Sequence, residues 1–236
     1  MNAMRIGALA ALLILGSSCR ETIPVDQQLS SGQVLFRFSP GDYYSFDNWS
    51  LDIYGQKIPA SYFRSSWTVA DTGQTLRGWT QVSVVLDSTF NGNNVFVRRD
   101  SLLFRYDNGD LYQYGFIRSL IAARETLMLA PRWDRIAAFS QPLGTSWELG
   151  RIDSSVGPRP TEYILGRIQP TREYVGPFII NGQERAMPSY RVQITESRLD
   201  YTFWITESPT TIARVFDNSE AIPNATLREL RVVTLR

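Results

Sequence analysis

The chain has 236 residues, 24 basic against 23 acidic, with one cysteine and no histidine. Lacking imidazole, it is excluded from Ser-His-Asp and Cys-His nucleophilic catalysis, histidine-ligated zinc and the usual general base near neutral pH. A single cysteine excludes an internal disulfide, and the absence of any basic run longer than Arg98–Arg99 argues against nucleic acid as a partner.

The first residues have a direction. Arg5 is the only charge before "IGALAALLILG", residues 6 to 16, and Gly16, Ser17 and Ser18 follow. An apolar run of that length is too short for a membrane-spanning helix, which needs about 20 residues. Charge, then an apolar stretch, then small residues is the order of a secretory signal peptide. Cys19 comes immediately after.

The segment "GSSC" resembles the lipobox of bacterial lipoproteins, with Ser17 and Ser18 as in that family and Gly16 where the family prefers leucine. The resemblance implies that the Cys19 thiol carries a diacylglycerol, that residues 1–18 are removed and that the new amino terminus is acylated. Several acyl chains on one residue hold a membrane stably, whereas one alone is marginal. Arg20 stands where the family's inner-membrane retention signal has aspartate, which implies the outer membrane. Residues 19–32 are the expected lipidated tether, polar and without periodicity, and 33–236 the expected single β-rich domain.

From residue 33 the pattern has period two. "QVLFRF" places Val34, Phe36 and Phe38 on one side, and "TQVSVVL" does the same for Val82, Val84 and Leu86. Around "DNGD", an odd-numbered loop would set Leu102, Phe104 and Tyr106 against Phe116, Tyr114 and Tyr112, six apolar side chains on one face. An even loop would oppose Asp107 and Asp110, so the odd loop is expected. A second hairpin, "YRVQITESRLDYTFWITES", puts Tyr190, Val192 and Ile194 on the face of Tyr201, Phe203 and Ile205, with 197–200 as its loop. Residues 116 to 139 hint at helix through Ile117, Leu120 and Ile121, with Pro131 marking a boundary. "TLRELRVVTLR" is a final strand of the kind that closes a sheet. The expected fold is all-β, a curved antiparallel sheet or (half-)barrel with at most one or two short helices.

Each motif with a chemical reading has a plainer one. "VADTGQ" contains the Asp-Thr-Gly of aspartic proteases, with Asp71 as the acid, and "ILGR" at 164 to 167 resembles their later glycine element. Such an enzyme needs two aspartates sharing a proton, and Asp-Thr-Gly occurs once, so a turn is the expectation. "NGNN" (91–94) and "DNGD" (107–110) are expected as turns and not as calcium loops. Glu162, Glu173, Glu184, Glu196 and Glu207 are expected on a solvated face. All basic residues but Lys57 are arginine, for which a compositional bias is a simpler account than anion recognition. Six tryptophans, with eleven tyrosines and twelve phenylalanines, either line an apolar cavity or fill a core.

"DYTFWITESPTTIARVF" (200–216) resembles a strand pair of periplasmic lipoprotein carriers with an open β half-barrel, and "NGDLYQYG" and "LGTSWEL" resemble segments of secreted bacterial β-proteins. These resemblances imply a curved antiparallel sheet. The functional expectation is a lipid-anchored, non-enzymatic envelope protein without cofactor or metal. It would hold an apolar ligand or an envelope protein on a curved β-scaffold. The alternatives are a structural or assembly lipoprotein with a filled core, and an aspartic protease using Asp71.

Overall fold

Alternating side chains and tight turns build two antiparallel meanders joined in one sheet. In the computed structural model, which describes residues 37–121, 130–152, 162–196, 199–207, 209–219 and 224–236, the strands are β1 (Tyr43–Ser50), β2 (Phe63–Leu76), β3 (Trp79–Phe90), β4 (Phe96–Asp107), β5 (Asp110–Tyr114), β6 (Trp133–Ala138), β7 (Ser146–Ile152), β8 (Glu162–Ile180), β9 (Gln183–Glu196), β10 (Leu199–Thr206), β11 (Ile212–Asn218) and β12 (Thr226–Thr234). One short helix, α1 (Phe116–Leu120), follows β5. Cys19, the signal segment, the tether, Val34 and Phe36 lie outside the described residues.

The sheet order is β6-β5-β4-β3-β2-β1-β12-β11-β10-β9-β8-β7. The final strand therefore joins two six-strand meanders, lying antiparallel between β1 and β11. The tip of the long β8–β9 hairpin adds a short parallel pairing, Ile179 with Val232 and Ile180 with Val233. Twelve twisted strands curl, and here they curl far enough that the two terminal strands, β6 and β7, face each other. This is the all-β curved sheet expected from the sequence.

The concave face is filled largely by aromatic side chains. Tyr44, Phe46, Trp67, Phe104, Tyr190 and Phe203 are all buried there. Phe46 meets Trp67 edge-on at 5.2 Å, and Trp67 meets Phe104 at 5.7 Å. From across the barrel, Phe139 reaches Tyr190 at 5.4 Å and Phe116, at the start of α1, reaches Tyr201 at 5.2 Å. The tryptophans divide between the two faces. Trp67 and Trp147 are in the core, while Trp49, Trp133 and Trp204 are half-buried and Trp79 is exposed. On the outer surface, Lys57 lies 3.7 Å over Trp49, Arg105 lies 3.2 Å over Trp79 and Arg214 lies 5.5 Å over Trp204. Some of the arginines thus have a structural use on the outer face: Arg214 packs on Trp204, while Arg105 is itself buried against the exposed Trp79.

One interior ion pair spans the sheet. Arg228 of β12 donates to Asp87 of β3 at 3.2 Å and to the Asn48 side chain of β1 at 3.0 Å. Asp87 Oδ1 and the neighbouring Trp67 Nε1 are buried without a protein partner.

The second hairpin has the expected register: Tyr201 opposes Ile194, Phe203 opposes Val192 and Ile205 opposes Tyr190. Its strands run on to Glu196 and from Leu199, so the connection is two residues long and not four. Dropping one residue pair from the loop leaves the register unchanged.

The first hairpin corrects the expectation. Phe104 opposes Gln113, Tyr106 opposes Leu111, and Asp107 opposes Asp110, which is the even loop. Asn108 and Gly109 both take positive φ, 50° and 89°, giving the two-residue turn whose twist matches that of the strands. The like charges are tolerated because each acid has its own cation: Asp107 pairs with Arg105, and Asp110 pairs with Arg135 while accepting from the Ser140 N–H at 2.9 Å. Tyr112 and Tyr114 consequently fall on the outer face, and Phe116 belongs to α1. Val82, Val84 and Leu86 do share a side, but it is the outer one, where Val82 is nevertheless fully buried, opposite the buried Arg105. Val85, opposite Leu102, is the core residue. Of the helical hint at 116–139, only α1 is helix among the described residues, and Trp133–Ala138 is strand.

The glutamates are more engaged than a solvated face implies. Glu173 pairs with Arg191 and accepts from Trp204 Nε1 at 3.0 Å, and Glu207 pairs with Arg172 at 2.7 Å. Glu229 on the outer face of β12 binds both Lys57 and Arg214. Burial pushes its pKa up, but the hydrogen bonds and charges of Lys57 and Arg214 prevail and the net shift is downward.

Two outcomes are expected. Glu229→Gln should lower stability at neutral pH by roughly 1 kcal/mol. Because the folded-state pKa is depressed, that difference is full above the ordinary glutamate pKa of 4.5 and disappears as pH falls through the lowered value. Urea titrations of both proteins across this range test it. Gly166→Ala should cost about 1–3 kcal/mol, since an added Cβ would overlap the Trp147 ring and lie 2.7 Å from the Leu149 side chain; the denaturation midpoint measures it.

Candidate functional site

The two ends of the sheet meet without a backbone ladder among the described residues, and side chains make the joint. Trp147 of β7 donates Nε1–H to the Arg135 carbonyl of β6 at 2.8 Å, and Arg132, just before β6, donates Nη2–H to the Leu149 carbonyl of β7 at 2.6 Å. Each edge strand therefore has a carbonyl capped by a side chain from the opposite edge. Outside this joint lies a cleft of about 550 Å³, within the size range of small-molecule sites.

The cleft wall is built in a repeated way. Arg135 donates to Asp110 Oδ2 at 3.3 Å, and the other oxygen of Asp110 accepts from the Ser140 N–H. Arg132 donates Nε–H to Asp134 Oδ1 at 3.1 Å, and the other oxygen of Asp134 accepts from the Ile117 N–H at 2.9 Å, fixing the start of α1. Both aspartates are buried, so each guanidinium rests on a carboxylate that solvent does not reach. Burial raises the pKa of Asp134, opposed by the Ile117 N–H and by Arg132. Arg151 and the exposed Glu148 of β7 complete the charged lining.

Aromatic rings form the remaining wall. Tyr112 ends a stack in which Arg105 lies 3.2 Å from the Trp79 ring centroid and 4.4 Å from that of Tyr112. Burial raises the Tyr112 phenol pKa, and Asp110 adds to the rise while Arg135 and Arg105 oppose it. Trp133 is held edge-on by Tyr114 at 5.4 Å, and its Nε1–H bonds the Arg77 carbonyl at 3.2 Å.

The residues singled out in the sequence are elsewhere. Cys19 lies outside the described residues. Asp71 lies in β2, where the strand shifts register on both sides of it; Thr72 N–H and Gln74 Nε2–H bind its two oxygens. The hairpin turn comes later, at Arg77 and Gly78. Thr72 and Gly73 border a separate depression of about 360 Å³, while Ile164–Arg167 belongs to β8, paired with β7 and β9. Among the described residues, no group of three or more histidine, cysteine, aspartate or glutamate side chains is placed to hold a metal. Sequence reasoning missed Arg132, Arg135, Arg151 and Glu148. They occur in "PRWDR" and "WELGR", both rich in charge and aromatics, and nothing linear shows that these stretches become opposite edges.

No family model matches this chain, and no curated protein matches it. Among solved structures it is similar to a candidate exported protein with a YmcC-like fold from Bacteroides fragilis, at 9% identity and a TM-score of 0.42, covering 85% of this chain and 99% of that one. It is also similar to a candidate lipoprotein from Parabacteroides distasonis, at 8% identity and a TM-score of 0.38, covering 85% and 98%. Both likenesses are too distant to identify a family.

Replacing Trp147 with phenylalanine should cost about 1–3 kcal/mol through the orphaned carbonyl and lost volume. Amide exchange should quicken in β6 and β7 while β9 and β10 stay protected. Uniform quickening would mean that the joint does not open by itself.

Proposed function

We propose that this chain is a lipid-anchored protein of the bacterial cell envelope, at the outer membrane, that acts by binding and not by catalysis. It holds its ligand or protein partner in the cleft beside the β6–β7 joint. The anchor rests on Cys19 following a charged, then apolar, then small-residue segment. The observation that carries the binding role is a cleft whose two arginines are each seated on a buried aspartate, an arrangement that fixes side chains for recognition.

An apolar ligand inside the sheet is disfavoured because aromatic side chains already occupy the interior, so binding belongs on the outer face. Catalysis is disfavoured by the same geometry. Asp110 and Asp134, the acids at the cleft, each give one oxygen to an arginine and the other to a backbone N–H, and the chain has no histidine to serve as base. The packed interior also favours a second reading, a structural or assembly lipoprotein; saturable ligand binding at the cleft separates the two. The aspartic-protease reading is the weakest, and any proteolysis abolished by Asp71→Asn would restore it.

Radiolabelled palmitate should be incorporated into the full chain expressed in a bacterium, and Cys19→Ala should abolish both labelling and cleavage of the precursor. An unlabelled wild-type product with an uncut amino terminus would remove the anchor from the proposal.

A further inference from the structure

The cleft lining specifies more than a binding site. Four of its nine residues are charged, three of them arginines against the single Glu148. The acids that balance Arg132 and Arg135 lie behind them, buried, with their oxygens already occupied. A guanidinium has five N–H donors. Arg135 spends Nη1 on Asp110, and Arg132 spends Nε on Asp134 and Nη2 on the Leu149 carbonyl. Both arginines line the cleft and are held by these bonds before any ligand arrives, and a guanidinium with donors to spare suits a carboxylate or phosphate.

The second half of the specification is aromatic. Trp133 and Tyr112 both line the cleft and both are braced, one by Tyr114 and the Arg77 carbonyl, the other by the Arg105–Trp79 stack. Braced rings offer a flat apolar face at little conformational cost. The exposed Glu148 carboxylate adds an acceptor, which a ligand made only of anionic groups would not use and a hydroxylated one would. A wholly apolar ligand would leave the charged groups unpaired, at a cost in desolvation.

We infer that the cleft binds an acidic sugar: a saccharide ring stacked on Trp133 and Tyr112, its carboxylate or phosphate taken by Arg135, Arg132 and Arg151, and its hydroxyls by Glu148. This rests on the cleft being the binding site proposed above.

The test uses the full mature protein, purified in detergent, with binding followed by calorimetry and tryptophan emission. The probes are trigalacturonic acid, glucose 1-phosphate, neutral maltotriose and triglutamate. One or both acidic sugars should bind saturably and at least tenfold more tightly than maltotriose or triglutamate, and comparing the two assigns carboxylate or phosphate. Arg135→Gln and Trp133→Leu should each weaken binding at least tenfold. Arg151→Gln, at an exposed position on β7, repeats the charge test at the third arginine, with thermal unfolding of each variant checking that the fold is kept.

Equal binding of acidic and neutral sugars that is lost in Trp133→Leu overturns the acidic class and keeps the cleft as the site. Triglutamate binding as tightly as the sugars overturns the saccharide and makes the ligand an acidic peptide. Saturable binding untouched by all three substitutions places the site elsewhere and overturns both readings. No saturable binding of any sugar overturns this inference alone.

Discussion

A sheet that curls until its ends meet must either join them by a backbone ladder or leave two edges with unsatisfied carbonyl and amide groups. In this protein the ends meet through side chains: Trp147 to the Arg135 carbonyl, and Arg132 to the Leu149 carbonyl. The rest of the architecture follows from that joint. It seats Trp147 over Gly166, whose missing side chain makes room for the indole. It also holds Arg132, just before β6, in the lining of the cleft.

Inner and outer faces solve different problems with the same residue types. Inside, aromatic rings fill a volume that a twelve-strand sheet would otherwise leave empty, and Arg228 ties β12 to β3 by way of Asp87. That pair is worth little as an isolated interaction, because desolvation consumes most of the attraction. Its consequence is geometric, since it links β12 to β3 across the interior face of β1 and β2. Outside, aromatics are exposed by the alternation of the strands and would be liabilities if bare. Lys57 and Arg214 lie over Trp49 and Trp204, and Glu229 holds both cations in place, whereas Arg105 is itself buried against Trp79 and Tyr112. The charged cleft is the part of this outer belt that falls on the joint, where rings and guanidinium groups lie in one concavity.

Local sequence was a good guide where one turn and one face decided the outcome. The Tyr190–Ile205 hairpin could be read from its alternation because all six core side chains obey a single parity. The Asp107–Asp110 hairpin could not, although its turn signal was plain. Grouping Leu102 and five aromatics on one face and avoiding opposed aspartates both favoured the odd loop. The structure instead satisfies the Asn-Gly turn and neutralises each aspartate with an arginine, one of which, Arg135, is supplied by the neighbouring strand β6. The "VADTGQ" segment shows the same limit, since its glycine marks an irregular stretch of strand and not the turn.

The sequence by itself determined the all-β class, the strand character of the last segment and the absence of histidine chemistry, because strand parity, turn residues and composition are properties of neighbouring positions. That this last strand joins two meanders in mid-sheet and does not close the sheet was decided by the tertiary structure. Only the tertiary structure decided which tryptophans face inward, which arginine neutralises which aspartate, and where a cleft opens. Those depend on how far the sheet curls, and that curl brings together residues such as Arg135 and Trp147 from strands at opposite ends of the sheet order. Pairing of that kind leaves no periodic trace along the chain.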